Sequence, residues 1–225
     1  MQILTKLYAT DEDIALRVPA DFPMLCPRDQ KLTSGIDGSF APSDPWTLLS
    51  PSVDFSACGL APGQVVSLTK PTASFKPPGD ALVVASVTNG AVTLRRKGQP
   101  ARMGQSPGTA AGLTGVEFAV TTLAPQIERA TYDLNRRYGI DDLVTGRRTS
   151  DMYDPREVRE AAVLTVLSNQ YLAMSRETGD PRDPFAAKAE LAKLELEDLL
   201  DRVVVHWRSE ASSPGTSRFC TRIVR

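Results

Sequence analysis

Histidine is almost missing from this chain: His206 is the only one among 225 residues. That excludes two-histidine metal sites and leaves Ser-His-Asp or Cys-His chemistry only if His206 takes part. His206 stands in VVVHWR at the end of an apolar helical pattern. A histidine beside the negative end of a helix dipole is the ordinary reading of such a place. Cysteine is scarce too. Cys26, Cys58 and Cys220 are an odd set without CxxC spacing, and they read as free thiols in a reducing cytoplasm.

Other signatures are absent as well. No apolar run reaches the roughly 18 residues of a membrane span. The opening MQILTKLYATDEDIALRV has neither the apolar stretch nor the small-residue cleavage site of a signal peptide. No P-loop, GxGxxG or DxDxDG pattern occurs. A formal net charge of −1 argues against wholesale attraction to nucleic acid or a membrane surface. These gaps leave no basis in the sequence for a metal or a cofactor, and none for assigning a catalytic residue.

What is present is organised in blocks. Thr10, followed by Asp11, Glu12 and Asp13, opens a short helix with acids at its positive end, and Pro19 closes it. From Pro19 to Pro51 the chain holds six prolines. Such a stretch cannot be a helix, and its prolines disfavour central strands. Its Phe22, Leu25, Phe40, Trp46 and Leu48 make it an extended segment packed on its own domain or on a neighbour. From 53 to 120, GQVVSLTK, DALVVASVT, AVTLRRK and GVEFAV read as short strands bounded by Gly and Pro. Asn89-Gly90 is a strong hairpin signal, because both central residues of a type I′ turn need positive φ. Residues 98–115 read as a loop within this β region.

After residue 120 the pattern is helical. Thr121 or Thr122 caps a helix carrying Ile127, Ala130, Leu134 and Tyr138, and Gly139 is placed to end it. Asp154-Pro155 and Asp183-Pro184 are two further helix starts, each with a capping residue before a first-turn proline. In the last helix Phe185, Ala189, Ala192, Leu196, Leu199 and Val203 step by 4, 3, 4, 3 and 4. They form a continuous seam, of which Phe185, Ala189, Leu196, Leu199 and Val203 are the candidate subunit-packing residues. Leu191, Leu194, Leu200 and Val204 widen the apolar surface beyond one partner helix. Glu195, Glu197, Asp198 and Asp201 read as a solvated face, or as the acidic lining of a channel. Arg95-Arg96-Lys97, Arg136-Arg137 and Arg147-Arg148 read as solubilising charge. In the tail, Arg218, Phe219, Arg222, Ile223 and Arg225 combine positive charge with apolar anchors, as a docking segment would.

The helical blocks, PQIERATYDLNRRYG, DPREVREAAVLTVLSNQYLAMS and FAAKAELAKLELEDLLDRV, together with the start YATDEDIALRV, resemble the head-tail adaptor (connector) proteins of tailed bacteriophages. That resemblance covers residues 7–18 and 121–206. It implies a small helical bundle, made of a short N-terminal helix plus three longer ones. The strand region and the proline-rich segment before it depart from that family pattern and read as an insertion, so the expected fold class is α+β, a helical bundle with an inserted small antiparallel β-barrel or sandwich. The expected organisation is a helical adaptor core over 1–18 and 121–206, an extended proline-rich segment over 19–52, an inserted β domain over 53–120 and a docking tail over 207–225. The implied role is that of a structural, non-enzymatic protein of the virion neck, assembled in the host cytoplasm. It would form a homo-oligomeric ring of twelve subunits, bind the portal protein and the next neck or tail protein, and let DNA pass through its lumen. The alternative from the residues alone is a β-domain module that binds carbohydrate or peptide.

Overall fold

The computed structural model describes residues 7–75, 79–88, 90–103, 112–140, 152, 155–178 and 183–203. The chain divides into two compact units, one spanning 10–124 and the other joining residues up to 9 with 125 onward.

The first unit is a closed barrel of six antiparallel strands. They are β1 (Lys31–Ala41), β2 (Asp44–Leu49), β3 (Val65–Lys70), β4 (Asp80–Thr88), β5 (Ala91–Arg95) and β6 (Thr114–Thr121), in the spatial order β1-β2-β5-β4-β3-β6. Alternation of buried and exposed residues along the strands points one face inward. That face supplies Phe40, Leu48, Val66, Leu68 and Phe118 to an apolar core that Phe55 also joins. Phe55 and Phe118 pack as a tilted pair with ring centroids 5.5 Å apart. Two glycines of β1 make room for Phe118. A Cβ on Gly35 would lie 2.7 Å from its ring, and one on Gly38 would lie 2.8 Å from the Val116 carbonyl oxygen. Thr88 pairs directly with Ala91, and Gly90 has φ of 69°. The β4–β5 hairpin expected from the sequence therefore forms, although Asn89 lies outside the described residues.

Helix α1 (Asp11–Arg17) belongs to this unit. Thr10 caps it in a capping box with Asp13. A short helix α2 (Phe22–Leu25) and a 3-10 turn (Arg28–Gln30) lead into β1. The second unit holds α3 (Ala124–Tyr138), α4 (Arg156–Thr178) and α5 (Pro184–Arg202). Tyr8 docks on α3: its backbone N–H donates to Thr131 Oγ1 at 3.3 Å and its hydroxyl to Asn135 Oδ1 at 2.5 Å. Gly139, at φ 63°, ends α3, and the Ile140 N–H reaches back to the Asn135 carbonyl at 2.9 Å. This is the left-handed terminus anticipated at that glycine. Asp183 caps α5 by accepting from the Phe185 N–H at 2.8 Å, with Pro184 at the first helical position. Asp154 lies outside the described residues.

The expected fold, a helical bundle with a barrel inserted into it, is corrected in two respects. The short N-terminal helix is fastened to the barrel unit and is not part of a bundle with α3, α4 and α5. The barrel is also larger than an insertion over 53–120, because β1 and β2 lie within 19–52. Proline does not prevent this. Pro19, Pro23 and Pro27 precede β1, Pro42 lies in the turn before β2, Pro51 follows it, and only Pro45 falls inside a strand, near its start.

Candidate functional site

In the helical unit the surfaces are set by which side of each helix is covered. The middle of α4 is buried nearly all round, with Ala161, Ala162, Val163, Leu164, Val166 and Leu167 each under a tenth exposed. A helix apolar on every side becomes the centre of its unit. Helix α5 packs along it, Phe185 stacking on Tyr171 with centroids 6.1 Å apart and Lys188 Nζ 5.5 Å from the Phe185 ring centre. The two helices thus fold back on each other, as the short link between them required.

The residues expected to pack subunits together sit inside this hairpin. Ala189 and Leu199 are buried within the single chain, and Phe185, Leu196 and Val203 are half-covered on the same side of α5. They are spent on α4, so the seam is intramolecular. The side left over carries Leu191 and Leu194, 59% and 54% exposed. Of the acids expected to line a channel, Glu197, Asp198 and Asp201 are exposed and Glu195 is half-covered, and Asp198 pairs with Arg202 at 3.4 Å. The tail residues Arg218, Phe219, Arg222, Ile223 and Arg225 lie outside the described residues, as do His206 and Arg147-Arg148.

Helix α3 has a second surface that the sequence reading passed over. Its buried side holds Ile127, Ala130, Thr131 and Leu134. The opposite side exposes Arg129, Tyr132 and Arg136, with Tyr132 57% exposed and the Arg136 guanidinium 5.9 Å from its ring centre. The signal was available, since Pro125, Arg129, Tyr132 and Arg136 step by 4, 3 and 4 on the face away from the core stripe.

The barrel carries a different kind of surface. On the outer face of four adjacent strands the register aligns small residues: Ser34 beside Ala119, Ala119 beside Ser67, and Ser67 beside Ala81. Two cavities of about 650 and 640 Å³ lie along this row and share Ser67. Ile36, 78% exposed, stands at one end, and Arg96 and Lys97 line the other. Burial holds Lys97 below the ordinary lysine value, against the pull of Asp80. Arg95, expected to be solubilising, is instead bound by Glu12 through both carboxylate oxygens, and Arg96 pairs with Asp80. The Gly98 N–H also donates to Glu12 at 2.8 Å. Phe55, Phe75 and Phe118, the only aromatic residues of 53–120, are all buried in the core, so none offers a ring for sugar stacking.

In the barrel unit the acid Asp11 is buried. Asp11 accepts from the Leu123 N–H and the Thr122 hydroxyl, each at 2.7 Å. Burial nevertheless pushes its carboxyl up to about 6, those two hydrogen bonds opposing the shift. Burial also pushes the Cys26 thiol up to about 11, Thr121 opposing and Asp11 adding to the effect. Such a thiol is a poor nucleophile. Cys26 and Cys58 are both free, and Cys220 lies outside the described residues.

Among the described residues no three His, Cys, Asp or Glu side chains gather as metal ligands, and no helix is long and apolar enough to cross a membrane. Comparison with protein-family models, with curated proteins and with solved structures returns no match for this chain.

Proposed function

We propose that this chain is a structural neck protein of a tailed bacteriophage, one copy of a ring that joins the portal to the tail and lets DNA pass through. The observation that carries the reading is the α4–α5 hairpin. It satisfies its own inner seam and still presents Leu191 and Leu194 on the far side of α5. Leucines held outward on a helix are a liability in a monomer and an asset in an assembly. The resemblance of the helical blocks to head-tail adaptors supplies the kind of assembly. The basic, apolar-anchored tail near 218–225 is the segment proposed to grip the portal.

Electron microscopy of the purified chain mixed with its cognate portal tests this reading. The expected result is a ring of added density coaxial with the portal. A chain that stays monomeric and leaves the portal bare would overturn it. A second reading, recognition of an extended peptide by the barrel, is favoured by the trough over Ser34, Ala119, Ser67 and Ala81. Binding that survives when portal contact is absent, and that is lost on Ser67→Arg, would select it.

A further inference from the structure

Two stripes of the helical unit share one spacing. On α3 it is Pro125, Arg129, Tyr132 and Arg136, and on α5 it is Ala187, Leu191, Leu194 and Asp198. Both step by 4, 3 and 4, which lays each set along a nearly straight ridge. Both lie opposite their helix's buried side, which is Ile127, Ala130 and Leu134 in α3 and Ala189, Ala192 and Leu199 in α5. Each ridge has an exposed apolar centre, Tyr132 at 57% on one and Leu191 and Leu194 at 59% and 54% on the other.

Their charges are opposite. Exposed residues of α5 include Glu190, Glu197, Asp198 and Asp201 against Lys193 and Arg202, which leaves −2. Glu190, Glu197 and Asp201 recur at steps of 7 and 4, so they form one acidic row beside the leucines. Exposed residues of α3 include Arg129, Arg136 and Arg137 against Glu128 and Asp133, which leaves +1. Arg136, already lying over Tyr132, is positioned to carry charge to the edge of the apolar patch.

We infer that the α5 ridge of one copy docks on the α3 ridge of a second copy of this chain, head to tail. Leu191 and Leu194 pack on Tyr132, and the acidic row beside them meets Arg129 and Arg136. An α5-on-α5 contact would instead set two net-negative faces together, which complementarity disfavours. A contact between two different faces repeats around a ring or along a filament. The inference rests on the ring reading for closure, and it moves Glu197, Asp198 and Asp201 from the lumen to the subunit contact.

Two double variants of the full chain test it. Leu191→Glu with Leu194→Glu spoils the α5 ridge, and Tyr132→Glu with Arg136→Glu spoils the α3 ridge. Circular dichroism should show both as helical as the wild type, because all four side chains point outward. By mass photometry the wild type should assemble, and each double variant alone should be monomeric. Their equimolar mixture should give a one-to-one dimer and nothing larger, since one native contact survives in it. A mixture without dimer, an α3 variant that still assembles alone, or a wild type monomeric at every concentration would each overturn the inference. Portal binding is scored separately. A mixed dimer from a chain that ignores the portal keeps the inference and sinks the neck reading, and portal binding without a mixed dimer does the reverse.

Discussion

The barrel and the helical hairpin solve the same burial problem with different residues. The barrel closes on itself around Phe40, Phe55, Phe75 and Phe118, large side chains that need space made for them by Gly35 and Gly38. The hairpin buries a mixture of small and large side chains, Ala161, Ala162, Ala189 and Ala192 among Leu164, Leu167, Tyr171 and Leu199, and leaves the outer face of α5 uncovered. A closed sheet spends its strand pairing internally. A helix satisfies its backbone alone and can keep an apolar stripe for a partner. On the proposed reading, the helical unit is therefore the one that associates.

The sharpest way to break that contrast is at the barrel core. Phe118→Ala removes a buried ring in contact with Phe55, and chemical denaturation should register a loss of about 3–5 kcal/mol. Next comes the buried acid. The Asp11 carboxyl sits at about 6 against an ordinary 3.8, so the folded chain holds its proton more tightly than the unfolded one. Its contribution is full below 3.8 and is lost as pH rises through about 6, a difference on the order of 2–3 kcal/mol. Thermal melts should therefore show the wild type losing ground to Asp11→Asn between about pH 4 and about pH 7. A constant gap between the two would refute the burial account. Gly35→Ala should cost roughly 1–3 kcal/mol, because the ring of Phe118 must give way. If it is neutral, the glycine is not there for the ring.

The hairpin should respond more weakly. Asp183→Ala removes the cap of α5 and should cost about 1 kcal/mol in a thermal melt. The smallest change in stability is expected at Leu194→Lys, within about 0.5 kcal/mol, as for a surface site. Its effect should appear only in assembly. A large loss of monomer stability there would mean that the outer face of α5 is needed for the fold itself.

Local signals were readable in the sequence, and long-range ones were not. The caps at Thr10 and Asp183 and the terminus at Gly139 each depend on neighbours within a few residues, and each stands where the pattern put it. Strand β1 was hidden because KLTSGIDGSFA carries little apolar payload beyond Phe40, and its pairing with β6 decides its conformation. The place of α1 was hidden for a similar reason. Asp11 and Glu12 look like first-turn charges, but their partners Thr122, Leu123 and Arg95 come far later in the chain. The seam of α5 was legible as a seam and not as to its occupant, since periodicity marks an apolar face without naming what covers it. Leu191 and Leu194 were visible as surplus. Only the burial pattern makes them the outer side.

The fastening of α1 also has a consequence in time. Asp11 is bonded to residues 111 and 112 positions downstream. A ribosome therefore releases this helix long before the strand end that will hold it exists. Glu12 can meet Arg95 and the Gly98 N–H earlier, but Asp11 must wait for β6, and the helix's run of three acids keeps it hydrated meanwhile. The helix at the start of the barrel unit is fully locked only when that unit's last strand has been made.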